Sequence, residues 1–419
     1  MLGCPMFRNQ PTARRINLMP GQGLDYSTLF NRDLPPPAAA WEGHPKYNFI
    51  GGHSDPDMVP MEGFVESAGR VFRGDPRNIS MYNFDGGPQG ITPLRQFVVD
   101  KLAQHRGINV TTDEVLITSG SGLAIELINE ILLEEGDTAI VEAFSFSGAL
   151  GNLRRRKVNI VGIDVDQDGM RMDHLATALE DLRNKGVRPK YIYTIPTLQN
   201  PTGTVMTMER RHQMLELSEE YGVPIFEDEC YADLIFEGEY ENAIRSLDDS
   251  NRVLHIGSFS KTLGPGTRLG YVVASWDVMS RLLSRKNDAG TGVMDQMIVG
   301  DYFNHHYEDH ILEMRSSLKR KCDALSSALR ESFGPSIEFE IPQGGMYLWV
   351  KLPNGVDSRQ LAGPALKEEI AFNPGPDWSA DPDAAANYIR LCFALPSEDE
   401  IWEGIGKLAD VFRREGAVP

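Results

Sequence analysis

The sequence predicts an α/β fold, with a large domain on a mostly parallel sheet followed by a smaller α+β domain. Three observations carry this prediction. From Asp113 onward, short β-rich runs alternate with longer helical patterns, as parallel strands joined by crossover helices require. Most of these runs are apolar on both faces, which suits strands covered by helices on either side. Beyond a helical stretch centred on residues 295–333, the pattern changes to paired strands and one amphipathic helix.

The elements follow in order. Met1 to about Asn48 is rich in Pro, Gly and Arg, includes DLPPPAAAW, and reads as an arm pinned by its few apolar residues. The strands are expected at Glu114–Thr118, Thr138–Glu142, Val158–Ile163, Lys190–Ile195, Val223–Glu227 and Arg252–Gly257. Between them, LAIELINEILLEEG and MERRHQMLELSEEYG read as helices, closed by Gly136 and Gly222 as C-caps. The runs IEFEI and MYLWV, joined by PQGG, read as a hairpin, and EDEIWEGIGKLADVFRR as the amphipathic helix. The division expected is an arm at 1–48, a large domain at 49–310 and a small domain at 311–419.

Composition narrows the function. A chain of 419 residues, 41% hydrophobic and 24% charged, can bury a large core. Its formal net charge of −19 argues against nucleic acid or an anionic membrane as partner, since both are polyanions. Cys4, Cys230, Cys322 and Cys392 form no CxxC or Cys/His pairing, so neither a disulfide framework nor a metal site is indicated. With no signal-peptide pattern and no apolar run long enough to cross a bilayer, a cytoplasmic location is expected.

In open α/β sheets, ligands gather outside the carboxyl ends of the strands. Four strand ends carry chemistry here. The first runs through SGSG, Ser119–Gly122, into a helix whose N–H groups suit a phosphate. The second reaches PTLQNPTG and Asn200. The third reaches DECYADL, with Asp228 and Tyr231. The fourth reaches SFSK, with Ser258, Ser260 and Lys261, followed by Arg268. Each alone is commonplace as a turn, a cap or a solvated charge. Together they supply a phosphate cradle, an amide, a carboxylate, a phenol and an amine, the inventory that pyridoxal 5′-phosphate requires. Its aldehyde needs a lysine, its ring nitrogen a carboxylate, its phenolic oxygen hydrogen-bond donors, and its phosphate N–H groups and an arginine.

This order of motifs resembles the fold-type I, class I/II aminotransferases, in particular the branch with aminoadipate and kynurenine aminotransferases and the aminotransferase half of MocR regulators. The resemblance runs from about Tyr47 to the C-terminus. It implies that Lys261 is the Schiff-base lysine and the proton carrier, that Asp228 pairs with the pyridine nitrogen, and that Asn200 and Tyr231 hold the phenolic oxygen. Ser258, Ser260, Arg268 and the backbone of Ser121 and Gly122 match phosphate positions. Arg390, in RLCFALPSEDEI, matches the arginine that grips the substrate α-carboxylate, and Gly51 and Gly52 an active-site segment in which Gly52 would help set substrate choice.

The chain also departs from the family pattern. Gly122 and Leu123 stand where relatives carry glutamines. Phe144 and Phe146 replace the usual Pro and Tyr, Phe146 keeping a ring to stack on the cofactor and Phe144 reading as core. Tyr82 stands for the tyrosine that contacts the neighbouring subunit's phosphate, although it lies further from Gly90 than the usual spacing. No second arginine can be assigned to a distal carboxylate; Arg70, Arg73 and Arg77 stand unranked. His53 and Cys230 read as packing or lining neighbours.

The function implied is a homodimeric transaminase moving an amino group from an α-amino acid to a 2-oxo acid by ping-pong chemistry. The alternatives are another pyridoxal-phosphate reaction on the same scaffold (β-lyase, decarboxylase or oxidase) or a cofactor-binding regulator, for which the short arm offers no DNA-binding domain.

Overall fold

The strand patterns are realised in a computed structural model that describes residues 24–419 apart from 33, 36, 39, 42, 239 and 240. Cys4 and the start of the expected arm lie outside these residues. Residues 1–44 and 45–419 form two units. In the first, Asp25 accepts from Ser27 N–H to cap a short 3-10 turn at Tyr26–Thr28. The second begins before the expected boundary, because Tyr47–Asn48 pair in parallel with Ile370–Ala371 and are buried.

The main sheet of this second unit has seven strands: β1 (Val115–Thr118), β2 (Thr138–Glu142), β3 (Asn159–Ile163), β4 (Ile192–Thr194), β5 (Ile225–Asp228), β6 (Val253–Ser258) and β7 (Gly270–Val273). Their order is β1-β7-β6-β5-β4-β2-β3. All pairings are parallel except those of β7, which runs antiparallel to both β1 and β6. Six strands stand where the apolar runs place them. The seventh, β7, was not anticipated, because its four residues follow a glycine-rich stretch that reads as one continuous loop. β3, at one edge of the sheet, is largely open to solvent, unlike the buried β2 beside it.

Helix α1 (Ser121–Leu132) leaves directly from the β1 turn, α2 (Ser147–Arg155) follows β2, and α3 (Met208–Tyr221) precedes β5. For α3, Thr207 accepts from Arg210 N–H at the start and Gly222, at φ +64°, closes the end as expected. Gly136 is not the cap of α1. That helix stops at Leu132 with Leu133 extended, and Gly136 occupies the following turn at φ +89°.

Helix α4 (Val293–Phe333) is 41 residues long and runs through the expected boundary at 310/311. It packs against the C-terminal helix α5 (Glu398–Arg414). A capping box at Ser397 and Glu400 opens α5. The smaller sheet, ordered β8-β9-β11-β10, consists of β8 (Glu338–Phe339), β9 (Tyr347–Lys351), β10 (Asn373–Pro374) and β11 (Tyr388–Cys392), all antiparallel. β8 and β9 form the expected hairpin. Among the described residues, no helix is long and apolar enough to cross a membrane.

Candidate active site

The carboxyl ends of β1, β4, β5 and β6 converge on a cavity of ≈ 430 Å³. At the end of β1 the backbone turns sharply through Gly120, φ +79°, into α1, which has no side-chain N-cap. A Cβ on Gly120 would come 2.6 Å from Arg268 Nη2, and one on Gly270 would come 2.6 Å from Ser121 N. Glycine at both positions lets the start of α1 lie close to β7, with Ser121 and Gly122 facing the cavity.

Lys261 and Arg268 occupy one loop between β6 and β7. Phe259 N–H donates to Leu269 O, closing the loop base, and Ser258 Oγ accepts from Ser260 N–H. Arg268 takes a left-handed backbone, φ +51°, and donates to Pro265 O at 3.0 Å and Ser119 O at 3.3 Å. Lys261 Nζ donates to Gly52 O at 3.2 Å. Any side chain at position 52 would run into Lys261 Nζ and the Tyr347 hydroxyl.

Asp228 ends β5 and is buried at the cavity wall. Tyr193 OH donates to its Oδ2 at 2.8 Å, and Cys230 N–H to its Oδ1 at 3.2 Å. Burial pushes the carboxyl above its ordinary value, although the Cys230 and Tyr193 hydrogen bonds oppose the shift. Such a carboxylate gains from a cationic partner.

Across the cavity, Arg390 on β11 lies between two aromatic faces, 3.9 Å from the Tyr347 ring centroid and 3.6 Å from that of Trp378. It donates to Asn200 Oδ1 at 3.0 Å, Asn373 Oδ1 at 2.8 Å and Gly51 O at 2.7 Å, while its buried Nε has no protein partner. Because a guanidinium only donates, the Asn200 amide is fixed with its oxygen toward Arg390 and its nitrogen toward Tyr231 OH, at 2.8 Å. Burial, then the neighbouring Tyr347, pushes the Tyr231 phenol well above its usual range.

Of the residues singled out from the sequence, Gly52, Ser121, Gly122, Phe146, Asp228, Tyr231, Ser258, Ser260, Lys261, Arg268 and Arg390 all line this cavity. Asn200 is tied to two of them. Tyr82 does not join them: it is 84% exposed and lines a separate surface cavity with residues 288–293. Arg70 pairs with Asp301, Arg77 with Asp75, and Arg73 donates to Gly69 O, so all three are engaged elsewhere. Phe144 packs against Trp349 and Tyr388, in keeping with a core role, and Cys230 lines the cavity. A larger open groove, ≈ 640 Å³, runs beside α3 with no lysine and with its one arginine bound to Asp166.

Tyr347, Trp378, Asn373 and Tyr193 escaped the sequence reading. Tyr347 and Trp349 alternate on β9, and Trp349 stands opposite Arg390 in register, so the strand pattern places both on the Arg390 face. Asn373 also pairs with Arg390 in register. Neither Trp378 nor Tyr193 carries a local signal, because each meets its partner only through the tertiary fold.

The residues present fit pyridoxal phosphate. An amine, a buried carboxylate and an arginine beside an uncapped helix start all border one cavity of a size that holds a small ligand. Among the described residues no cluster of His, Cys, Asp or Glu could hold a metal ion.

Residues 76–408 match the family model described as aminotransferase class I and II. The aromatic-amino-acid aminotransferase 1 of Thermococcus litoralis is 33% identical over 371 residues, 88% of each chain. The solved kynurenine aminotransferase of Pyrococcus horikoshii, in complex with PMP, superposes with a TM-score of 0.86 at 32% identity, covering 93% of this chain and 98% of that one. The alpha-aminoadipate aminotransferase of Thermus thermophilus, solved with N-(5′-phosphopyridoxyl)-L-leucine, superposes with a TM-score of 0.83 at 29% identity, covering 93% and 99%.

Proposed function

The chain belongs to the class I and II aminotransferases, and from that premise we propose how its residues divide the work of a transaminase. It is a pyridoxal-phosphate-dependent enzyme of fold type I that moves an amino group from an amino acid to a 2-oxo acid. When bound, the cofactor supplies a carbonyl that takes up the amino group and a protonated ring that accepts electrons from Cα. The alternatives of lyase, decarboxylase, oxidase or regulator are not favoured by any feature of the site.

Lys261 carries the cofactor through its amine and moves the proton at Cα. Its place within reach of Gly52 O keeps that amine inside the cavity. Asp228 holds the proton on the ring nitrogen, and the Tyr193 hydrogen bond keeps its carboxylate oriented. Asn200 and Tyr231 would hold the phenolic oxygen, and Phe146 would offer its ring face to the cofactor. The N–H groups of Ser121 and Gly122, with Ser258, Ser260 and Arg268, bind the phosphate.

Arg390 grips the substrate α-carboxylate, which takes over the place of Gly51 O on the guanidinium, and Gly52 leaves room for the substrate beside Lys261. Residues 49–310 hold the cofactor and 311–419 supply the carboxylate grip. A homodimer would bring Tyr82 to the neighbouring subunit's phosphate, and its exposure, with that of Met61, Val65, Phe72, Ile79 and Met81, supports an interface on this side.

The observation that carries this assignment is the convergence of Lys261, Asp228, Arg268 and Arg390 on one cavity. Its test is a half-reaction screen. The purified protein is mixed with single amino acids, and conversion of the bound cofactor to the pyridoxamine form is followed by absorbance. Borohydride reduction and peptide mapping then locate the attached lysine. A label on a lysine other than Lys261 overturns the assignment.

A further inference from the structure

Beside the cavity lies a buried carboxylate with no part in the roles above. Glu142 ends β2 and is 1% exposed. Its Oε1 accepts from Thr194 Oγ1 at 2.7 Å and from Ile195 N–H at 3.3 Å. Its Oε2 accepts from Gln199 Nε2 at 2.9 Å and again from Ile195 N–H at 3.2 Å. These donors begin at the end of β4 and reach the residue immediately before Asn200. Gln199 also donates to Phe144 O at 2.6 Å, and its Oε1 accepts from Thr202 N–H at 2.8 Å.

We propose that Glu142 is a positioning residue of the active site: its carboxylate latches the Ile195–Gln199 loop to β2 and so holds Asn200 between Tyr231 and Arg390. The inference rests on the assignment of Asn200 above. Ile195 N–H and Gln199 Nε2 can only donate, so Oε2 must accept. Thr194 Oγ1 is the one partner that could receive a proton, and protonation at Oε1 turns that bond round and weakens Oε1 as an acceptor from Ile195 N–H.

The latch is held against a cost in stability. Burial pushes the Glu142 carboxyl up to about 7, the Gln199, Thr194 and Ile195 bonds lower it, and the charge of Asp228 raises it further. The titratable groups that face it are Asp228 from β5 and the Tyr193 phenol from β4. Arg154 is spent on Ser379 O, in the segment bonded to Ala143. The folded chain keeps this proton up to about 7, whereas the ordinary glutamate value is 4.5. Its contribution to stability is therefore full below 4.5 and lost as pH rises through that window. The ionised carboxylate serves the site while weakening the fold, which separates a positioning role from a merely structural one.

The test compares wild type with Glu142→Gln and Gln199→Leu. Pyridoxal 5′-phosphate affinity is read by reconstitution of apo-protein at pH 6 and pH 8, KM and kcat with the amino acid fastest in the half-reaction, and thermal midpoints at both pH values. Both variants should bind cofactor and amino acid about 5- to 20-fold more weakly at pH 8. The wild-type weakening between pH 8 and pH 6 should be smaller in Glu142→Gln, and the Glu142→Gln midpoint should gain on wild type as pH rises. Wild-type affinities in either variant, or losses that track the thermal midpoint at both pH values, overturn the proposal. Failure of the underlying site assignment is distinguishable, since wild type itself would then take up no cofactor at Lys261.

Discussion

The two walls of the cavity hold their polar groups in opposite ways. On the main-sheet wall, Asp228 is fixed by donors from Tyr193 on β4 and from the Cys230 backbone just beyond β5. On the small-sheet wall, Arg390 is held by two ring faces, by the side-chain oxygens of Asn200 and Asn373, and by the carbonyl of Gly51, whose place a substrate carboxylate takes in the proposed function. On the assignment proposed above, the first wall is preorganised for one permanent guest and the second exchanges partners at every turnover. Aromatic stacking suits the second because a guanidinium keeps its orientation on a ring face while its N–H groups are handed over.

Substitutions can break this contrast. The largest effect is expected for Lys261→Ala, which removes the amine common to both walls. Covalent cofactor attachment should vanish, and the proton transfer should slow by on the order of 10²–10⁴-fold, read by mass spectrometry and single-turnover rates. Next comes Asp228→Asn, which keeps the shape but not the charge. It should lower kcat by about 10²-fold with little change in KM. Arg390→Lys keeps the charge but loses the fork, so KM for amino acid and oxo acid should rise together by about 10- to 100-fold with the cofactor still bound. If Arg390→Lys lost cofactor while Asp228→Asn only weakened substrate affinity, the two walls would be exchanged. The smallest effect is expected for Tyr82→Phe, a few-fold loss of cofactor affinity in a chain that sediments as a dimer; a monomer with full activity would remove Tyr82 from the site.

The main-sheet wall was far more legible in the sequence than its counterpart. Asp228 ends a strand, and Asn200 and Lys261 lie in the loops just after two others, each strand announced by its apolar run; a strand end in such a sheet is where ligands gather. The register of β9, β10 and β11, by contrast, is a non-local property. Tyr347 and Asn373 could be placed beside Arg390 only once that register is known, and Trp378, in the turn after β10, gave no sign at all; Arg390 itself was visible only through its flanking motif. Glu142 escaped for a related reason. It closes an ordinary apolar strand, and its importance lies in donors more than fifty residues away along the chain.

The lone antiparallel strand also bears on how the enzyme is made. Gly270 pairs with Thr118 on one side and Ser258 on the other, so β7 joins a strand laid down early in the chain to one laid down late. Closing that long loop is slow in entropic terms. The start of α1 rests on β7, so the proposed phosphate end of the cavity needs the completed central sheet. A cofactor bound there would favour the folded chain by mass action.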